Sequence, residues 1–82
     1  MLKADKVLYD CYQETIYLIR RHNYPQAQKN INLLKSCLEK SVKESKDPEK
    51  SMLIVYLRQW VYHAETELQR SLTSLHNNET GS

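Results

Sequence analysis

Apolar residues recur at intervals of three and four along almost the whole chain, the period of an α-helix with one buried face. The longest such run is Met52 to Leu75, in which Ile54, Leu57, Val61, Ala64, Leu68, Leu72 and Leu75 form one continuous stripe. Upstream, Ala4, Leu8, Cys11, Tyr12, Thr15, Ile19 and His22 gather on one face of a helix predicted over about 3–22, flanked by Val7, Ile16 and Leu18. Lys3, Lys6, Asp10, Glu14 and Arg21 fall on its solvated side, with Tyr17 among them as an exposed aromatic. A second helix, over about 25–45, turns Ala27, Asn30, Ile31, Leu34, Leu38, Ser41 and Val42 inward. Cys37 lies at the margin of that face and Leu33 points away from it. Ala27 and Ser41 are small enough to let a neighbouring helix come close.

Two breaks separate the helices. In His22-Asn23-Tyr24-Pro25 the proline disfavours helical geometry in the residue before it and is well placed in the first turn of a new helix. In Ser45-Lys46-Asp47-Pro48-Glu49 the Asp47 side chain can cap free N–H groups, Pro48 has no N–H to leave unsatisfied, and Glu49 faces the positive end of the helix dipole. The third helix, about 48–75, would be about 42 Å long against about 30 Å for its neighbours, at 1.5 Å per residue. Its last turns are therefore expected to project, fray or meet something else. From His76 the sequence turns polar, so 76–82 reads as a disordered tail. The reading is an all-α fold, an antiparallel three-helix bundle with a long third helix, in one domain over 1–75.

The third helix also carries more apolar surface than one side of a bundle can cover. Met52, Val55, Tyr56, Trp60 and Tyr62 all lie outside its stripe. That excess points to a binding surface. Val55, Gln59 and Tyr62 line one flank, and Tyr56, Trp60 and His63 the other. Trp60, close to Leu53, stands on the boundary between core and interface. Val55 and Tyr62 rank first as binding residues because their flank also carries Arg58 and Gln59.

Composition narrows the chemistry. A single glycine and two prolines among 82 residues leave little material for hairpins, and 40% apolar with 27% charged residues describes a folding chain rather than a disordered or membrane-spanning one. The net charge of +2 arises from twelve basic residues interleaved with ten acidic ones, so nucleic acid is not the expected partner. The mixed N-terminal sequence contains no secretory apolar core, so a cytoplasmic location is expected. Cys11 and Cys37 fall near the predicted core faces and are expected as reduced, buried thiols, with a disulfide or reactive role as the alternative. His22, His63, His76 and the two cysteines include no CxxC or HxxxH spacing, so no metal site is expected. No phosphate-binding loop, carboxylate pair or oxyanion hole accompanies them, so neither a cofactor nor a catalytic residue is assigned.

Asn23-Tyr24-Pro25-Gln26-Ala27 at the second helix start, Lys46-Asp47-Pro48-Glu49-Lys50 before the third helix, and Ala64-Glu65 with Leu68 late in it together resemble a microtubule-interacting and transport (MIT) domain. The likeness covers roughly residues 4 to 72. The chain departs from that pattern at Leu34 and Ser41 in the second helix and at Val61-Tyr62-His63 in the third. The resemblance implies an adaptor that holds a helical or extended tail of a partner in a groove beside helix three, typically an ESCRT-III-like tail. Katanin-type relatives also contact microtubules. Carried onto this chain, the groove residues are Val55, Tyr56, Gln59, Trp60, Tyr62 and His63. A weaker resemblance, through Leu8-Tyr9-Asp10 and the hairpin after it, is to flagellin export and other small secretion chaperones, which mask a secreted helical substrate. A structural homodimer through helix three is the third reading.

Overall fold

The computed structural model describes the backbone from Lys3 to Gly81 and side chains from Lys6 to Ser74. Three helices, α1 (Lys3–Arg20), α2 (Tyr24–Glu44) and α3 (Met52–Gly81), run up, down and up, with a single 3-10 turn at Pro48–Lys50 before the last. They pack on one another as the antiparallel three-helix bundle that the periodicity predicts.

Local chemistry sets the boundaries. α1 stops before His22, because this residue takes the left-handed conformation at φ 63°, a geometry that ends helices but is uncommon for a side chain other than glycine. The N–H of Asn23 bonds the Leu18 carbonyl at 2.9 Å and that of His22 bonds Ile19 at 3.0 Å, the paired bonds of a Schellman ending. His22 Nδ1 and the Tyr24 hydroxyl lie 2.6 Å apart across the turn, and their rings meet edge to face. His22 thus leaves the buried face on which the helical period placed it. Pro25 then sits in the first turn of α2 as expected.

The second junction departs from the sequence reading. Asp47 makes no side-chain cap, and the segment Pro48–Lys50 winds as a tight 3-10 turn that ends at an extended Ser51. Ser51 is the residue that opens α3, its hydroxyl accepting the Ile54 N–H at 3.4 Å. The helix so begun has 30 residues and continues to Gly81, through the polar segment read as a tail. Ser82 and the side chains from Leu75 onward lie outside the described residues. At 1.5 Å per residue α3 is about 45 Å long and overshoots its partners by several turns.

The core forms two connected layers. Ile19, Ala27, Ile31, Ala64 and Leu68 fill one, with Tyr12, Ile16, Leu18 and Tyr24 packed around them. Leu34, Leu57 and Val61 fill the other, edged by Leu8, Cys11, Leu38, Leu53 and Trp60. Ala27 and Ala64 are both wholly buried in the first layer, where their small side chains let α2 and α3 come together. The stripe on α3 is buried from Ile54 only as far as Leu68, and Leu72 is 37% exposed because neither shorter helix covers the overhang. Thr15 is buried on α1 and donates its hydroxyl to the Cys11 carbonyl at 2.7 Å, within its own helix. Asn30 is buried on α2 and accepts from Gln26 at 3.3 Å, while its Nδ2 has no partner. Tyr17 and Leu33 are exposed, as their places on the two helical wheels require.

Candidate functional site

Around α3, successive residues rotate by about 100°, so the six residues singled out from the sequence divide between two edges of its buried stripe. Tyr56, Trp60 and His63 recur every three or four positions on the edge toward α1. There they meet Tyr9 and Tyr12, which lie at the same spacing on α1. The Trp60 ring runs nearly parallel to those of Tyr12 and Tyr56, at centroid distances of 5.7 and 5.9 Å, and Tyr9 is tilted against it at 5.5 Å. Such offset and tilted contacts add about 0.5–1.5 kcal/mol each to the area they bury. Trp60 is half-buried and rests on the Leu34–Leu57–Val61 layer, so it belongs to the core by one face and to the surface by the other. Tyr9 and Tyr56 remain 38% and 45% exposed.

His63 ties this cluster together. The Tyr12 hydroxyl is hydrogen-bonded to its Nδ1, and Nε2 faces Glu67 Oε1 at 3.7 Å, one turn further along α3. With a neutral imidazole the tyrosine hydroxyl donates to Nδ1, and Nε2–H is directed at the carboxylate. Partial burial, together with the neighbouring Tyr9 and Glu67, pushes the Tyr12 hydroxyl above its ordinary pKa, because each of these disfavours the phenolate. Arg70 lies 3.8 Å from the same Glu67 oxygen.

Toward α2 the chemistry is different. Glu65, on that edge, forms an ion pair with Lys35, and the carboxylate oxygen involved is shielded from solvent while both side chains stay substantially exposed. Tyr62 lies beyond this pair and is 74% exposed, in contact with none of the other rings described above. Val55 is half-buried and Gln59 exposed. Tyr62, Glu65, Thr66, Gln69, Arg70 and Thr73 line a shallow groove along the second half of α3. The structure therefore gathers Tyr56, Trp60 and His63 into one surface and leaves Val55, Gln59 and Tyr62 outside it.

Tyr9 and Tyr12 belong to that surface, although the sequence reading gave Tyr12 to the core face and Tyr9 no role in the groove. Their spacing was the available signal. Two aromatics three apart on α1 match the aromatic stripe on α3 once the two helices are known to run parallel, and the chain alone does not fix that alignment.

Among the described residues no three of His, Cys, Asp and Glu converge as a metal site would require. Nor is any described helix long and apolar enough to cross a membrane. Comparison of the chain with protein-family models, with curated proteins and with solved structures returns no match.

Proposed function

We propose that the chain is a non-catalytic protein-interaction module, an MIT-like adaptor that holds a helical or extended tail of a partner protein beside α3. The observation that carries this reading is the aromatic surface on the α1 side, where Tyr9, Tyr12, Tyr56 and Trp60 lie ring against ring and the outer two keep more than a third of their area in water. Tyr and Trp supply large contact area at small cost in conformational entropy, the property that concentrates binding energy in a few interface residues. An amphipathic tail would lay apolar side chains against these rings, with Gln13, His63 and Glu67 at the margin fixing its register. The partner class that suits this geometry and the resemblance is an ESCRT-III-like tail in protein transport.

Titration of isotope-labelled protein with such tail peptides provides the test. Shifts of the Trp60 indole N–H and of the backbone amides of Tyr9, Tyr56 and His63 are the expected result. Shifts confined to Val55, Gln59, Tyr62 and Thr66 would move the binding site to the α2 side. An unchanged spectrum at millimolar peptide, across several tails, would end the adaptor reading.

Leu72 favours a second reading. It continues the apolar stripe into the part of α3 that the other helices do not cover. A homodimer through α3 would bury it, and sedimentation at micromolar concentration separates the two readings: a stable monomer rules out the dimer.

A further inference from the structure

Cys11 and Cys37 are both free and both partly buried, and they are the two cysteines of the chain. Their placement follows from the register of the first two helices. Ile19 shares a layer with Ala27 and Ile31, whereas Leu8 and Cys11 share the other with Leu34 and Leu38, so advancing along α1 means retreating along α2. Cys37 lies one turn past Leu34, which puts it within about one turn of the level of Cys11.

The faces agree as well. On α2, Lys35 marks the edge toward α3 by its pairing with Glu65, and Cys37 lies about 160° around the helix from it, on the edge toward α1. On α1, Tyr9 marks the edge toward α3 by its contact with Trp60, and Cys11 lies about 160° from it, on the edge toward α2. Both thiols thus stand in the α1–α2 seam within about one turn of each other. The Cys11 thiol is pushed above its ordinary pKa by burial first, then by Glu14, with Cys37 near enough to add to the effect.

We propose that Cys11 and Cys37 form a redox-controlled staple, a single intramolecular disulfide that clips α1 to α2 when the chain meets a disulfide oxidant such as oxidised glutathione. In one order of events Cys37, as its thiolate, attacks one glutathione sulfur and expels the other half as a thiol. The Cys11 thiolate then attacks Cys37 Sγ in the mixed disulfide and displaces the second glutathione. Two protein S–H groups are lost, one S–S bond is made, and two glutathione thiols leave. The staple is independent of the binding reading, since it joins the helix pair that does not include α3.

The test compares the folded chain in buffer with the same chain in concentrated urea, both at low micromolar protein with oxidised glutathione. The staple predicts a monomer lighter by two hydrogens, a peptide map joining Cys11 to Cys37, and faster closure in the folded chain than in urea. It also predicts a thermal midpoint roughly 10 °C higher, reversed by dithiothreitol, because the bond restricts the unfolded chain. Cys37→Ala should lose both the closure and the thermal shift while keeping its helicity. Closure that is faster in urea than in buffer would show that the fold holds the thiols apart. Products that stop at glutathione adducts or appear as disulfide-linked dimers would equally overturn the proposal.

Discussion

On the α1 side of the third helix, Tyr56, Trp60 and His63 meet Tyr9 and Tyr12 ring against ring; on the α2 side, Glu65 meets Lys35 through a single ion pair. Both edges rest on the same buried stripe, and both seams are closed at the surface by a polar contact between helices. They differ in what remains when solvent reaches them. Aromatic contacts act through area and ring geometry, and they leave apolar faces available to another chain. A half-exposed ion pair is screened by salt, is worth at most about 1 kcal/mol, and leaves hydrated groups at the rim. The α1 edge accordingly keeps the more apolar surface, the one we propose meets a partner, and substitutions can test the contrast between the two edges.

The largest effect should come from the stripe that both edges share. Leu57 is wholly buried, so Leu57→Asp places an unpaired carboxylate among Leu34 and Val61, at a cost of several kcal/mol against a total stability of about 5–15 kcal/mol for a small domain. Circular dichroism should show no cooperative thermal transition. A variant that still melts cooperatively would mean that the buried face is wrongly placed and that the two edges are not edges at all. Next in size is Trp60→Ala, expected to cost about 3 kcal/mol in urea unfolding because the tryptophan faces both the core and three tyrosines. Tyr62→Ala on the other edge should stay within about 0.5 kcal/mol of the parent. Equal losses would abolish the contrast.

The two polar contacts can be compared by double-mutant cycles. Tyr12→Phe with His63→Ala should give a coupling of about 1 kcal/mol that changes little with added salt, since a neutral hydrogen bond carries it. Lys35→Ala with Glu65→Ala should give a smaller coupling at low ionic strength and almost none in molar salt, where charges are screened over about 3 Å. Salt sensitivity at Tyr12–His63 instead would show that the imidazole–carboxylate contact with Glu67 dominates that seam.

Much of the bundle was legible in the spacing of its apolar residues, and the reasons it became illegible are specific. Ile54 through Leu68, Ala27 through Leu34 and Ile19 are buried as the helical period requires, because burial follows from position around one helix. Leu72 follows the same period and is exposed, since periodicity says nothing of where a neighbouring helix ends. His22 was lost from the buried face through backbone geometry, a left-handed residue where no glycine announced it. At the second junction the sequence reading gave the cap to Asp47 alone, whereas the cap falls to Ser51, which follows the 3-10 turn. The third helix could be divided into two flanks from its own sequence. Which flank would be aromatic on both sides depended on the alignment of α1 with α3, a tertiary fact. So Tyr9 entered the site only with the structure, whereas Trp60 proved to occupy the boundary where its position had placed it.

The smallest effect is a pH dependence confined to one edge. Burial and the negative charge around it hold the Tyr12 hydroxyl above its ordinary 10.0, so the folded chain retains that proton when the unfolded chain has already lost it. Tyr12 therefore contributes stability that is fully present below about pH 10, in the range of the unfolded group, and is lost as pH rises through the higher folded value. Cys11, raised from 9.0 chiefly by desolvation, acts in the same direction and begins to do so at lower pH. Urea unfolding followed from pH 8 to pH 11 should show stability declining with alkalinity. Cys11→Ser should remove the earlier part of that decline and Tyr12→Phe the later part, whereas Glu65→Gln, on the opposite edge, should leave the slope as it was. A slope altered by Glu65→Gln and untouched by Tyr12→Phe would place the alkaline-sensitive contact on the α2 side and reverse the assignment of the two edges.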